Sequence, residues 1–330
     1  ADGYGRMAEK PAATLLHLGP GMANGLANLH NARKGKVPVV NIVGDHATYH
    51  VKYDAQLQSD IETVARNISP SFVRTSQSTE ALCQDAAEAI TAARGLPGQV
   101  ATLILPADVS WGEGGKPCAA PTQPQAPAAE DSAVKAAAEA IKSGRKTALL
   151  LGGRALREPA LLEAARIAAH NGVPLFAETF PTRIERGAGL PPVERIAYLA
   201  ELATLQLSEF DHLILVDAKA PVSFFAYPGK QSYLVPDNCT AHTLSTPEQD
   251  ATTSLKKLAD TLGASNAQPK LQAPGRPGHR PILTCTAAEG APAVANPDSI
   301  RQLQAPEPSS YLVCVRRQQA PSRAPSRSSR

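Results

Sequence analysis

The sequence predicts an α/β protein: two doubly wound, parallel-sheet domains followed by a disordered C-terminal tail. Three observations carry this. Short apolar runs at 14–18, 37–43, 100–105, 147–151 and 212–217 alternate with longer segments that repeat apolar residues at helical spacing. The runs close at Gly, Pro or Asp, the residues that end strands. Hydrophobic content is 43% with only 4% aromatic, and 330 residues are enough for two separate cores of the Ala/Leu/Val kind.

Taken in order, residues 1–12 read as the end of a helix leading into the first strand, with Glu9 as a solvated helix-end charge. The run 14–18 stops at Gly19-Pro20-Gly21, a tight turn after a buried strand. From Met22 to Ala32 the residues Met22, Ala23, Leu26, Ala27 and Leu29 recur at helical spacing. The next strand, 37–43, is closed by Gly44-Asp45-His46. The result is a strand–turn–helix–strand unit whose turn is bare backbone at the carboxyl end of a strand. Open parallel sheets bind ligands there, because strand ends and helix N-termini leave N–H groups free. The same glycines also suit a plain strand–helix turn.

Residues 53–58 form a loop into a helix capped by Ser59 or Asp60. A strand at 71–75, an amphipathic helix at 79–94 and a strand at 100–105, ending in Pro106-Ala107-Asp108, complete a first domain over 1–110. Residues 111–130, rich in proline and glycine, are a linker. The second domain, 131–264, contains a helix at 132–142, a strand at 147–151, the turn Gly152-Gly153-Arg154 and a helix at 158–170 capped by Asn171-Gly172. A strand at 173–177, a helix at 193–207 and a strand at 212–217 follow. Over 265–330 the periodicity collapses into Pro/Arg/Ser sequence, read as a disordered basic tail. Two origins for it stand side by side: a reading-frame change or misassembled gene end, and a true RNA- or membrane-binding tail.

Charge and cysteines narrow the function classes. Residues 266–330 hold nine Lys/Arg and three Asp/Glu, whereas residues 1–265 hold 24 and 27, so the body is mildly acidic. A nucleic-acid-binding surface there has little support. The five cysteines are scattered without a C-x-x-C pair, which argues against a disulfide or metal framework and for a reducing cytoplasm. No apolar run approaches the ~20 residues that span a bilayer.

The segments ADGYGRMAEKPA (1–12), LGPGMANG (18–25), VPVVNIVGDHATYH (37–50) and GQVATLILPADV (98–109) resemble the pyrimidine-binding domain of thiamine-diphosphate-dependent enzymes. Within that family the chain is similar to acetolactate synthase large subunits and to the benzoylformate decarboxylase group. ETFPTRIERGAG (178–189) and FFAYPGK (224–230) resemble the family's central domain. The resemblance implies thiamine diphosphate with Mg²⁺, and decarboxylation of a 2-keto acid followed by carboligation. In the acetolactate synthase case this takes pyruvate to acetolactate in branched-chain amino acid biosynthesis.

It also implies site residues. Gly19, Pro20, Gly21 and Asn24 would bind the cofactor. His46, His50 and Gln56 are the catalytic candidates facing its reactive end, and His17 is a further histidine of that neighbourhood. Histidine suits proton transfer near neutral pH. Alternatively, His46 and His50 are loop histidines bonded to backbone, or a zinc pair at i, i+4 for which no third ligand is evident.

The family's activating glutamate would fall before Ala1, and the Mg²⁺–diphosphate motif would lie in a further domain. The chain is therefore expected to be a fragment, inactive alone and a poor binder of the cofactor. Full-length relatives would be homodimers or homotetramers. The Gly152-Gly153-Arg154 turn could hold a nucleotide such as FAD, or be structural. A benzoylformate decarboxylase-like enzyme and a non-catalytic oligomerisation module are the competing functions.

Overall fold

The computed structural model describes residues 1–123 and 125–274. Helix α1 (Asp2–Ala8) leads into β1 (Ala12–His17), α2 (Leu18–Lys34), β2 (Val39–Asp45), α3 (Ile61–Ile68), β3 (Val73–Thr75), α4 (Thr79–Arg94), β4 (Val100–Pro106) and the short α5 (Ala107–Trp111). The four strands form one parallel sheet in the order β1-β2-β4-β3. Helices α2 and α3 bury Met22, Leu29, Ile61 and Ile68 against Val39, Val43, Val100 and Ile104 on one face. Helix α4 covers Val40, Ala101 and Leu103 on the other. This is the doubly wound arrangement that the alternating pattern predicted.

A second parallel sheet follows. It is built from α6 (Asp131–Lys142), β5 (Thr147–Leu151), α7 (Glu158–Asn171), β6 (Leu175–Ala177), β7 (Glu194–Arg195), α8 (Ala200–Leu207), β8 (His212–Val216), β9 (Thr240–Ser245) and α9 (Ala251–Leu262). Its strand order is β7-β6-β5-β8-β9. Strand β5 is buried along its whole length, which is why it reads as an unbroken apolar run.

Local chemistry explains most boundaries. Asp60 caps α3 by accepting from the Thr63 amide at 3.0 Å, Ser78 caps α4, and Gly172 ends α7 with φ 69°. A polar ladder crosses the first core: the Thr14 hydroxyl donates to Asn41 Oδ1 at 2.9 Å, and Asn41 Nδ2 donates to Thr102 Oγ1 at 3.1 Å. Ser69 extends it at 2.7 Å from Thr102.

Three expectations are corrected, and two elements are added. Gly19-Pro20-Gly21 is not a free turn but the first turn of α2; the chain turns the corner at Leu18 instead, with φ 57°. Pro20 is accommodated because the first helical N–H groups have no intrahelical acceptor to lose. The expected helix over 193–207 is split: 194–195 pairs with β6 through the Ile196 amide on Ala177 O at 2.9 Å, and helix begins only at Ala200. Tertiary strand pairing overrides the helical spacing there. Strand β9 and helix α9 belong to the second sheet and had no counterpart in the sequence reading. Glu9 is no free charge: Arg157 Nε donates to its Oε1 at 2.7 Å, and Arg183 lies 3.7 Å away.

Of the expected tail, Gln272 still bonds the chain, its amide donating to Leu190 O at 2.9 Å. Residues 275–330, with Cys285 and Cys314, lie outside the described residues. Among the described residues no helix is long and apolar enough to cross a membrane.

Candidate functional site

Strands β1, β2 and β4 run parallel, so their carboxyl ends share one edge. A cleft of about 460 Å³ opens there. His17 and Leu18 bound it at the end of β1, Asp45 to His50 after β2, and Ala107 and Trp111 after β4. This is the position where open α/β sheets receive ligands.

Two features make the cleft more than a surface dent. Leu18 sits buried in the left-handed region at φ 57°, a conformation that costs a non-glycine residue about 1 kcal/mol or more and concentrates at functional sites. It delivers the chain into α2 with no side chain capping the helix N-terminus. In addition, the Nε2 atom of His46 is buried without a hydrogen-bond partner. Such a group costs about 1–3 kcal/mol unless something supplies the missing bond.

The loop after β2 is held from two sides. Asp45 Oδ1 accepts from the His46 amide at 2.7 Å. Asp108 takes the Thr48 amide at 2.9 Å and the Thr48 hydroxyl at 2.5 Å. These bonds hold the Asp108 carboxyl below the usual range, the Thr48 hydroxyl contributing most. The His46 and His50 rings lie 5.3 Å apart between centroids, tilted by 53°, and Tyr53 continues the array at 5.8 Å from His50.

His46, His50 and His17 thus come together at the cleft. Pro20, Asn24 and Gln56 are exposed and do not line it. Gly19 is tight for a local reason: a Cβ there would overlap the Ser59 side chain. The bare corner is therefore partly filled beside Gly19, and the opening lies one step earlier, at His17 and Leu18. Thr48, Asp108 and Trp111 had no assigned role in the sequence. The Pro-Ala-Asp step after a strand was the available signal for Asp108, and nothing local reveals the backbone of Leu18.

The lining suits an aminopyrimidine ring in chemistry: Leu18, Leu57 and Trp111 are apolar walls, and the lining residue His46 carries a buried ring nitrogen without a partner. A phosphate does not fit the Gly152-Gly153-Arg154 turn. Glu178 Oε1 takes the Gly153 amide at 2.9 Å, and Asp217 Oδ2 takes the Arg154 amide at 2.6 Å. The glycines there admit these carboxylates: a Cβ on Gly152 would stand 2.5 Å from the Asp217 carbonyl oxygen. Lys36 Nζ joins the group from the first sheet's side, 3.4 Å from Asp217 Oδ1. A flavin nucleotide held through this turn finds its donors already bonded. Among the described residues no group of three or more His, Cys, Asp or Glu side chains could hold a metal.

Fold and cleft define an open α/β protein with a cleft at its strand ends, and its sequence is similar to one kind of such protein. Residues 1–66 match the family described as thiamine pyrophosphate enzyme, N-terminal TPP binding domain. Residues 1–66 thus resemble the N-terminal domain of thiamine-diphosphate-dependent enzymes, and the chain is similar to acetolactate synthase large subunits. It is 51% identical over 269 residues to a Mycobacterium tuberculosis protein named "Putative acetolactate synthase large subunit IlvX", covering 82% of this chain and 51% of that one. It is 27% identical over 228 residues to the acetolactate synthase of Mycobacterium leprae, covering 63% and 34%. The chain thus spans about half or less of the length of these relatives.

Among solved structures, the thiamine diphosphate-dependent 4-hydroxybenzoylformate decarboxylase of Rhodococcus jostii RHA1 shares the fold with a TM-score of 0.68 at 19% identity, over 84% of this chain and 55% of that one. The benzoylformate decarboxylase of Polynucleobacter necessarius does so at 0.66 and 19%, over 84% and 54%.

Proposed function

We propose that this chain provides the pyrimidine-side domain, 1–110, and the central domain, 131–264, of an acetolactate synthase-like enzyme. Its substrate would be a 2-keto acid, pyruvate in the first instance, in branched-chain amino acid biosynthesis. The observation that carries this is the strand-end cleft, which sets the buried, unpartnered His46 Nε2 beside the uncapped start of α2. Thiamine diphosphate bound there would supply the electron sink for decarboxylation.

The chain's own residues take the following parts. Leu18, Leu57 and Trp111 give the ring an apolar wall, and the His46 nitrogen gives it a hydrogen bond. Leu18 sets the corner, and Gly19, Pro20, Gly21 and Asn24 follow it at the same end of α2 as the proposed cofactor side. His50, and Gln56 at the loop beyond it, are the proposed groups toward substrate. No residue here is assigned to Mg²⁺ or the diphosphate. Because the cleft offers one side of a site, the polypeptide alone is read as a weak binder with little turnover. The proposed setting is a reducing cytoplasm, in keeping with the free thiols Cys83, Cys118 and Cys239.

Calorimetry with thiamine diphosphate and Mg²⁺, run beside a panel of 2-keto acids, tests this reading. Weak saturable binding, with any turnover favouring pyruvate, supports it. Turnover favouring benzoylformate would move the assignment to the decarboxylases, and absence of any binding would remove it.

A further inference from the structure

Strand β9 is an edge of the second sheet, and β8 is its neighbour there. Each of the two strands carries a histidine near its amino end. His212 lies opposite Thr240, and His242 lies opposite Ile214, so the two rings meet diagonally across the ladder. His242 Nε2 stands 3.2 Å from His212 Nδ1, and the ring centroids are 5.1 Å apart with a tilt of 59°. Both residues are half-buried. Strand alternation sets them on the same face as Ile214 and Leu244, at the margin of the apolar core closed by α6, α7 and α9.

We propose that this pair binds a divalent transition metal of the kind that prefers imidazole, Zn²⁺ or Cu²⁺, and so clasps the edge strand β9 to β8. The spacing argues for it. A Zn–N bond is about 2.0–2.1 Å, so two nitrogens at the tetrahedral angle on one ion stand about 3.3 Å apart. The two ring nitrogens are already at 3.2 Å. Burial, and after it His212, lowers the His242 pKa, which favours the neutral ring that ligates a metal. Binding needs only a change of tautomer. The proton held between the facing nitrogens passes through solvent to the outer nitrogen of the ring that donated it, and the ion takes its place.

Neighbouring donors are engaged elsewhere. Asp211 accepts from Arg145 at 2.9 Å and from the Lys146 amide at 3.2 Å. Cys239 packs into the core on the opposite face of the sheet. The site therefore offers two protein donors, with water completing the coordination, which makes the bound ion exchangeable. This inference stands independently of the thiamine reading.

Titration of the full 330-residue chain with Zn²⁺ tests it, read by melting temperature and by the nitrogen resonances of the histidine rings. An ion that binds the paired strands and not the unfolded chain raises the melting temperature. The parent should show a saturable rise, and the resonances of His212 and His242 should be the first to move. His212→Gln and His242→Gln should each shift the midpoint roughly tenfold or more to higher Zn²⁺. His30→Gln, on the exposed side of α2, should leave the response as it is. Where a glutamine variant is itself poorly folded, the resonances of the parent decide. No rise in the parent, a rise that survives both substitutions, or His212 and His242 resonances that stay in place would each overturn the proposal.

Discussion

Thr48 donates twice to Asp108, through its amide at 2.9 Å and its hydroxyl at 2.5 Å, and so ties the loop after β2 to the first turn after β4. Two walls of the cleft thereby move together. Substituting Asp108 by Ala should release the loop, and hydrogen exchange at Thr48 and its neighbours should speed up while the sheet stays protected. The bond needs the carboxylate, whose pKa is lowered by Thr48. The restraint is therefore full above the unfolded value of 3.8 and is lost as pH falls through the lower folded value. Unchanged exchange in the Ala variant would show that the loop is held by other means.

Asn41 is fully buried and links Thr14 to Thr102 across three strands. Asn41→Ala removes the acceptor of the half-buried Thr14 hydroxyl and one of the two partners of Thr102, which keeps Ser69, and should cost about 1–3 kcal/mol in urea unfolding. Thr102→Val keeps the shape but leaves the buried Asn41 amide and Ser69 hydroxyl without this partner, so it should cost at least as much.

Gly152 has the Asp217 carbonyl oxygen 2.5 Å from where a Cβ would be, and backbone does not yield easily. Gly152→Ala should destabilise by about 1–3 kcal/mol. Gly172 has open space around it and only its φ of 69° to lose, so Gly172→Ala should cost about 1 kcal/mol. The reverse order would mean that the Gly152 turn relaxes freely.

Glu178 and Asp217 both have pKa values raised by burial, from 4.5 and 3.8. A carboxyl whose folded pKa is raised favours the folded state most when protonated. That contribution is full below the unfolded value and is lost as pH rises through the folded value. Glu178→Gln cannot ionise and keeps an oxygen for the Gly153 amide. Its melting temperature relative to the parent should climb as pH rises from 4 toward neutrality. A difference that is flat with pH would contradict the assignment.

Much of this was legible in the sequence, and what was missed has physical causes. The buried strands β2, β4 and β5 announce themselves as apolar runs, and α4 by its Ser78 cap and Gly95 stop. Helix α9 carried a readable signal in Asp250, Leu255 and Leu258 but stood beside a polar stretch that masked it. The split at 193–207 depended on an edge pairing with β6, which no local pattern encodes. At the site, the histidines of the GDHATYH loop were visible as chemistry. The corner at Leu18 was not, because left-handed backbone at a leucine leaves no compositional trace. Nor could spacing show that Glu178 and Asp217 converge on the Gly153 turn from two other strand ends.

Trp111 is the single tryptophan of the chain and lines the cleft, so its fluorescence reports on that space directly. Titration with thiamine diphosphate and Mg²⁺ should give a weak, saturable change in its emission that thiamine itself competes away. Emission that stays unchanged, or that shifts no differently from free tryptophan amide under the same titration, would contradict the placement of the aminopyrimidine at this strand-end cleft.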